Sequence, residues 1–547
     1  MPSLGAVESV YQQEREISVP EGARLSVVPE KALVPQREIR NQRKIKLAPG
    51  ERIALATGNL EAKELRKLSD LNAIVEIVSI QLGYNFLKDD GMAQVARLTS
   101  LEELDLNGCR DTVSDEGVRA LGKLAKLRSL RVDCLSGVTP KGWAVLNALE
   151  MLEELRLSDD VRLDAENLAG IAKLPRLCHL ALATGGQGLA ALANCASLES
   201  LEIENAADLS SLSKFLRHPK LSRWVFDDCP AINDDALAQL ATLERLETLK
   251  LNRCPNATDK GVAQLAKASL LKSLSLESLK LDGVCLAAFA ESERLEQLFL
   301  WDIEGVSSNM ASIASLRRLK QLVISAKQPV SCAVTRKIVS APKLERVSLY
   351  HLEFDEAAFE ELARREAVSY IRIRACTGVD SAGVRHLASL LQLKELDLSD
   401  CAKVGDRALS ALVACEALES LNLRGTGITD TGLAYLRKLP KLRRLDVGGT
   451  GVSEEGVKEI CRSASLRVLH LVDCPKIDGV SEWWCRRPME EIWTGTNDAF
   501  EILRIEWRED GTFLSRRESF EPINGDGAGE PYKAPPPADP PPNDDLG

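Results

Sequence analysis

A leucine pattern that recurs about every 25 residues constrains this chain more than any other feature. Its clearest copies lie between Leu393 and Thr450 and read LKELDLSDCAKVGDRALSALVACEA, LESLNLRGTGITDTGLAYLRKLPK and LRRLDVGGT. The alternation in L-x-x-L-x-L predicts a short strand, and the second half of each unit has the spacing of a helix. A unit of this length cannot bury its own apolar face, so the units must stack on one another.

The first strand position of this pattern can be followed through most of the chain. Eighteen positions fit it, with spacings of 21 to 26 residues: Val75, Leu101, Leu127, Leu152, Leu177, Leu198, Leu221, Leu246, Leu271, Leu295, Leu319, Leu344, Val368, Leu393, Leu418, Leu442, Leu466 and Met489. So narrow a spread predicts one repeat array over residues 75–495.

The residues before the array do not repeat. We expect an irregular N-terminal leader over residues 1–49. Residues 50–74 predict a degenerate cap repeat, in which Ile53 and Leu55 would be strand residues.

Two further segments follow the array. Residues 496–523 predict a β-hairpin cap, because Asp510-Gly511 separates two alternating runs and Asp-Gly is a strong hairpin turn. Residues 524–547 are rich in proline, glycine and acidic side chains, and this composition predicts a disordered tail.

Six cysteines share one position of the repeat, eight residues after its first strand position: Cys109, Cys229, Cys254, Cys376, Cys401 and Cys474. This regularity predicts packed structural thiols rather than disulfides, redox centres or metal ligands. The alternative is a Cys376–His351 nucleophile, which requires an exposed thiol, whereas the repeat position of Cys376 predicts burial.

Composition and motifs narrow the function further. A net charge of −11 disfavours a general nucleic-acid-binding surface. The sequence has no apolar run long enough for a transmembrane helix and no signal-peptide pattern, so we expect a cytoplasmic protein. It also has no G-x-S-x-G, H-E-x-x-H, P-loop or C-x-x-C motif, so we expect no enzyme activity, cofactor or metal.

The consensus L-x-x-L-x-L-x-x-C-x-x-V-x-D-x-G-L/V resembles the cysteine-containing class of leucine-rich repeats. It stands in this chain as LEELDLNGCRDTVSDEGV, LETLKLNRCPNATDKGV and LKELDLSDCAKVGDRAL. The resemblance implies an α/β fold, a curved solenoid of about 17–18 repeats with a parallel inner sheet and outer helices. This class is best known from F-box substrate receptors of ubiquitin ligases, but residues 1–49 show no F-box-like segment.

Strand alternation predicts which side chains line the concave face, namely the third, fifth and seventh positions of each repeat. Early in the array these are mostly acidic, with Arg131 and Arg156 as exceptions: Glu103, Asp105, Asp133, Glu154, Glu202, Glu204 and Asp227. Such a run is also what an ordinary solvated surface would show.

In the middle of the array the concave positions change to aromatic and arginine side chains. We call these seven residues the aromatic–arginine face: Phe299, Trp301, Arg346, Tyr350, Tyr370, Arg372 and Arg374. Such residues are enriched at binding hot spots, although they could also pack on one another without a partner. If the face binds a partner, Trp301→Ala or Arg372→Glu should each cost about 2 kcal/mol of binding.

These features favour a non-enzymatic scaffold that binds a partner protein on its concave face. The alternative is a substrate-recognition subunit of a larger enzyme complex, similar to a ubiquitin-ligase receptor. In either case we expect a protein partner, and no nucleic acid, membrane or metal.

Overall fold

A computed structural model describes most of the chain, in two compact units that comprise residues Met1–Lys280 (unit 1) and Leu281–Gly547 (unit 2). The described residues are 15–18, 23–28, 37–39, 44–48, 51–57, 65–68, 75–82, 87–107, 113–133, 135–158, 161, 163–305, 308–477, 489–495, 500–507 and 513–520.

Unit 1 is built on a parallel sheet. Its described strands are β1 (Arg15–Ser18), β2 (Ala23–Val28), β3 (Arg37–Ile39), β4 (Lys44–Leu47), β5 (Arg52–Thr57), β6 (Ile77–Gln81), β7 (Glu103–Asp105), β8 (Ser129–Val132), β9 (Glu154–Leu157), β10 (His179–Ala183), β11 (Ser200–Glu204), β12 (Arg223–Asp227), β13 (Thr248–Asn252) and β14 (Ser273–Glu277). From β5 to β14 each strand pairs in parallel with the next.

Short helical segments connect these strands, as the second half of each repeat predicts. The α-helices described between these strands include Asp89–Val95, Asp115–Arg119, Pro140–Trp143, Ala165–Ile171, Asp234–Leu240 and Asp259–Gln264. The 3-10 helices are Ala120–Lys123, Ala144–Ala148, Leu189–Asn194, Ser210–Phe215 and Leu265–Lys267.

Unit 2 repeats this arrangement. Its strands are β15 (Gln297–Ile303), β16 (Gln321–Val330), β17 (Arg346–Leu352), β18 (Tyr370–Arg374), β19 (Glu395–Asp397), β20 (Ser420–Asn422), β21 (Arg444–Asp446), β22 (Val468–His470), β23 (Glu491–Gly495), β24 (Phe500–Trp507) and β25 (Phe513–Phe520). Pairing is parallel from β15 to β23 and antiparallel between β23, β24 and β25.

The helices of unit 2 again lie between consecutive strands. The α-helices are Cys332–Ile338, Glu356–Ala363, Ser381–Val384, Asp406–Leu412, Asp430–Leu436 and Glu454–Ile460, and the 3-10 helices are Val284–Glu291, Ser308–Ser315 and Arg385–Ser389.

The predicted repeat positions are confirmed. Within the part of the chain that the structure describes, a strand follows each of the eighteen positions: β6–β14 in unit 1 and β15–β23 in unit 2. The alternation is also confirmed, since β11 buries Leu201 and Ile203 and leaves Ser200, Glu202 and Glu204 half-exposed.

The leader differs from the irregular segment that its lack of repeats predicts. Four strands lie within it: β1 pairs antiparallel with β4, and β2 pairs antiparallel with β3 and β5. The alternation of Leu25 and Val27 in β2 explains this pairing, because both side chains are buried. Ile53 and Leu55 of β5 are also buried.

The hairpin strands predicted on either side of Asp510-Gly511 are present as β24 and β25, which pair antiparallel with Trp507 opposite Phe513. The turn residues themselves, and the predicted tail over residues 524–547, lie outside the described residues.

The chain turns away from the sheet at one fixed position. Eleven residues seven positions after the first strand position adopt a left-handed backbone conformation: Asn205, Asp228, Arg253, Ser278, Asp302, His351, Ala375, Asp400, Gly425, Gly449 and Asp473. Most side chains avoid this conformation, so its recurrence marks a backbone turn that the repeat imposes.

The burial predicted for the cysteine series is observed in its five described members; Cys109 lies outside the described residues. The thiol of Cys229 donates to the Ile203 carbonyl over 3.3 Å, and that of Cys474 donates to the Val447 carbonyl over 3.2 Å. Burial raises the pKa of Cys376 to about 12, so this thiol stays protonated at neutral pH.

A second contact between repeats explains the D-x-G part of the consensus. Asp89 accepts hydrogen bonds from the backbone N–H and the hydroxyl of Ser114, over 2.8 and 2.6 Å, and these bonds lower the pKa of Asp89. Four later pairs repeat the bond from the hydroxyl to the carboxylate: Asp115–Thr139, Asp234–Thr258, Asp406–Thr429 and Asp430–Ser453.

The glycine two residues after the aspartate position makes room for the aspartate of the preceding repeat. A Cβ atom on Gly261 would lie 2.5 Å from Oδ1 and 2.8 Å from Cα of Asp234. Neither distance is sterically acceptable.

We therefore expect Gly261→Ala to lower the free energy of unfolding of the protein by about 1–3 kcal/mol, because the new methyl group must displace backbone. Chemical denaturation followed by circular dichroism measures the change. The matched control is Gly185→Ala, where an added Cβ meets no atom within 4 Å. Equal stability of the two variants would contradict the steric explanation.

Unit 1 also buries a histidine. His218 is 5% exposed, its Nδ1 accepts a hydrogen bond from the N–H of Leu221 over 3.0 Å, and its Nε2 lies 3.0 Å from the Cys195 carbonyl. A neutral ring with the proton on Nε2 satisfies both bonds. Burial lowers the pKa of His218, although the bond to Cys195 partly offsets this shift.

Because the pKa of His218 is lower in the folded chain, the unfolded chain binds the proton more tightly. His218 should therefore contribute stability above its ordinary pKa of 6.5 that is lost as pH falls through the lowered folded-state pKa. We expect the free energy of unfolding to decline more steeply between neutral pH and about pH 5 in the wild type than in His218→Asn. Identical slopes in urea denaturation series would contradict this assignment.

Candidate functional site

The aromatic–arginine face lies on neighbouring strands of unit 2. Phe299 and Trp301 extend from β15, Arg346 and Tyr350 from β17, and Tyr370, Arg372 and Arg374 from β18. All seven residues are partly buried, to different extents. Parallel pairing sets their rows, since Arg346 stands opposite Tyr370 and Tyr350 opposite Arg374.

The intervening strand β16 forms a low floor. Its residues at the concave-face positions, Val323 and Ser325, are buried, and Ser325 pairs opposite Tyr350. Because these side chains are small, the rings of Trp301 and Tyr350 meet above them, with centroids 5.3 Å apart and planes inclined by 38°. Trp301 and Tyr350 therefore pack on each other across β16.

Arg372 lies at the centre of the face and is largely buried, with 12% of its side chain exposed. Its Nη1 donates to the Tyr350 hydroxyl over 3.3 Å, and its Cζ lies 5.4 Å from the centroid of the Tyr370 ring. Two carboxylates of β19 neutralise it: Nε is 3.4 Å from Oδ2 of Asp397, and Nη2 is 3.7 Å from Oε1 of Glu395.

Sequence reasoning missed Glu395 and Asp397. The sequence did contain a signal for them, because they are the third and fifth positions of the next repeat, which begins at Leu393. Pairing of β18 with β19 places Glu395 opposite Tyr370 and Asp397 opposite Arg372. Burial raises the pKa of both carboxyl groups, although Arg372 opposes this shift at each of them.

This network changes how the face can be tested. Arg372→Glu would place a third carboxylate beside Glu395 and Asp397 in a poorly hydrated site, and repulsion there would disturb the strands themselves. Binding and stability effects would then be confounded. Arg346 makes no ion pair with either carboxylate, although its charge still acts on Glu395 at longer range, and Trp301 carries no charge, so these two residues are better probes.

The other two arginines are less constrained. The guanidinium of Arg346 lies over the Tyr370 ring, with Cζ 4.1 Å from its centroid. Arg374 approaches Asp400 only to 3.9 Å, and 37% of its side chain is exposed. Burial raises the pKa of Tyr370, so its hydroxyl stays neutral beneath Arg346.

A depression of about 470 Å³ lies at the end of these strands, lined in part by Asp302, Lys327, His351 and Glu353. Asp302 directly follows Trp301, and the Ser325 hydroxyl donates to Asp302 Oδ1 over 3.2 Å. The depression therefore borders the aromatic–arginine face.

The structure does not form the alternative Cys376–His351 nucleophile. Cys376 is 6% exposed and its thiol donates to the Leu349 carbonyl over 3.5 Å, whereas the side chain of His351 is exposed. Among the described residues, no group of three or more His, Cys, Asp or Glu side chains could hold a metal ion. The described helices are also too short or too polar to cross a membrane.

The acidic positions of unit 1 are partly neutralised by the two exceptions within the run. Arg131 Nη2 lies 3.2 Å from Glu154 Oε1, and Arg156 Nη1 reaches across β10 to Glu202 Oε2 over 3.0 Å. This surface is therefore a mixed-charge solvated sheet, and we assign no site to it.

Comparison with known proteins identifies the repeat. A family model described as Leucine Rich repeat matches residues 97–122, 392–413, 414–436 and 438–461. The last three segments are the copies from which the repeat pattern is most easily read.

Several solved structures are similar at low sequence identity. The Rad7–Elc1 complex of yeast contains a chain 17% identical, with 78% of this chain and 90% of that chain covered and a TM-score of 0.39. The TLR13–ssRNA13 complex matches at 18% identity over 76% of this chain and 69% of that chain, with a TM-score of 0.48. An internalin, inlF, of Listeria monocytogenes matches at 15% identity over 74% and 93%, with a TM-score of 0.29.

Every strand-and-helix unit of the array shares one leucine ladder, and the Leucine Rich repeat family model matches four segments of the chain. The chain therefore carries leucine-rich repeats, and its cysteine-containing repeats form an α/β solenoid.

Proposed function

We propose that this protein is a non-enzymatic scaffold that binds a partner protein at the aromatic–arginine face on the concave sheet of unit 2. One observation carries the proposal: four aromatic and three arginine side chains converge on β15, β17 and β18, in a chain in which aromatic residues make up 4% of the sequence. These residue types dominate the energetics of protein interfaces.

The geometry supports binding because the side chains restrain one another. Trp301 contacts Tyr350, Tyr350 accepts from Arg372, and Arg346 stacks on Tyr370. Side chains that are already ordered lose little conformational freedom when a partner covers them, so more of the contact energy contributes to affinity.

The buried thiols support a non-enzymatic role. Burial raises the pKa of Cys254 to about 12 and that of Cys401 to about 11, so the reactive thiolate form is suppressed. The eleven described cysteines are thiols rather than disulfides, which is the state that a reducing compartment maintains, and we propose a cytoplasmic location on this ground.

Once the partner protein is identified, Trp301→Ala should weaken its binding to this protein by about 2 kcal/mol, roughly 30-fold in Kd. The substitution removes the ring that packs on Tyr350. Isothermal titration calorimetry with the purified pair measures this loss. Leu391→Ala is the matched control, since Leu391 is a large apolar side chain that is 66% exposed and lies in the loop before β19, outside the strands that carry the face. Undiminished affinity of the Trp301 variant, with circular dichroism unchanged, would reject this face as the binding site.

Alkylation tests the assignment of the thiols. Cys178 and Cys332 are only partly buried, so iodoacetamide should label them at least ~10-fold faster than Cys254 or Cys376 in the native protein. Peptide mapping by mass spectrometry gives the four rates separately, and labelling in denaturant should equalise them. Native labelling of Cys376 as fast as that of Cys332 would reopen a thiol-based activity.

A further inference from the structure

We propose that the aromatic–arginine face recognises an acidic segment of the partner protein, in which a carboxylate lies close to an apolar side chain. This inference rests on the function proposed above and adds the chemistry of the partner to it. It follows from the unequal neutralisation of the three arginines.

The concave-face positions on β15–β18, which are the third, fifth and seventh of each repeat, carry three positive charges and no negative charge. They are Gln297, Phe299, Trp301, Gln321, Val323, Ser325, Arg346, Ser348, Tyr350, Tyr370, Arg372 and Arg374. In a chain whose net charge is −11, this is a local reversal of sign. Surfaces of opposite potential attract, so the face is complementary to an acidic partner.

Arg372 is not available to that partner. Its side chain is 12% exposed, and the carboxylates of Glu395 and Asp397 already compensate its charge. Arg372 is therefore a supporting residue within the face. It donates a hydrogen bond to the Tyr350 hydroxyl and orients that group.

Arg346 is available. It is half-exposed, and no carboxylate oxygen of a described residue lies within ion-pair distance of its guanidinium. The Tyr370 ring covers one face of that guanidinium at 4.1 Å. Its N–H groups lie in the guanidinium plane, so they remain able to grip a carboxylate with two parallel hydrogen bonds.

The apolar part of the partner would lie against Trp301 and Tyr350. Tyr350 is four residues beyond Arg346 on β17, a separation of about 13 Å along a strand. An extended peptide covers the same distance in about four residues. The face therefore selects for a carboxylate and a large apolar side chain about four positions apart.

A peptide selection tests this prediction. Full-length protein is immobilised and a random-peptide phage library is selected against the wild type, Arg346→Glu, Trp301→Ala and the control Arg318→Glu. Arg318 is an exposed arginine in the loop before β16, away from the concave positions. The wild type and Arg318→Glu should enrich Asp or Glu about four positions from a large apolar residue, and a synthetic peptide of that sequence should bind Arg346→Glu at least ~10-fold more weakly.

The outcomes separate this inference from the proposed function. Enriched peptides that require Trp301, lack acidic residues and bind Arg346→Glu undiminished would overturn the acidic chemistry and leave the binding face intact. Peptides that bind Trp301→Ala and Arg346→Glu as tightly as the wild type would overturn both. A selection that enriches nothing overturns the linear acidic segment, while the intact partner still tests the face. Single-stranded oligothymidylate that binds at physiological salt, and is lost in Arg346→Glu, would assign the face to nucleic acid instead.

Discussion

Position-for-position hydrogen bonding between successive parallel strands is the constraint on which both units depend. Leu201 pairs with Trp224, Trp224 with Leu249 and Leu249 with Leu274, so one position of the repeat becomes one row across the sheet. A shift of a single residue would expose the leucine row and bury the polar one. Further contacts hold the same register elsewhere, such as the Asp89–Ser114 hydrogen bonds and the Cys229 thiol on the Ile203 carbonyl.

This register explains how much the sequence could predict. The repeat places Cys254 and Cys376 at one buried position, and Trp301 and Tyr350 at concave-face positions. Residue spacing alone is enough to find all four. The spacing does not show which inward side chains meet, because that depends on side-chain length and on the neighbouring strands. The carboxylates around Arg372 come from β19, and only alignment of adjacent repeats brings Asp397 opposite Arg372.

Departures from the repeat were harder to anticipate. The strands of the leader pair antiparallel. The alternation of apolar and other residues that forms them, such as Leu25 and Val27 of β2, is short and does not recur along the chain. The strand β16 runs on to Val330 with an irregularity in its pairing after Ser325, and Ala326 lacks the left-handed turn found at that position in neighbouring repeats. No local residue preference predicts this extension. It lines the depression beside Trp301 and Tyr350 through Lys327.

The buried charges of the face are best understood as a source of selectivity. Burial of Glu395 and Asp397 raises the pKa of both carboxyl groups, so this pairing is an expensive way to hold strands together. Its consequence is that Arg372 has no net charge to offer. A surface with three uncompensated arginines would attract any polyanion, whereas Arg372 pairs with Asp397 and Arg374 with Asp400, so among the described residues Arg346 is the arginine of the face that forms no ion pair. If the face binds an acidic segment as proposed, the aromatic rings beside Arg346 determine which acidic partners gain apolar contact, so charge would attract the partner and packing would select it.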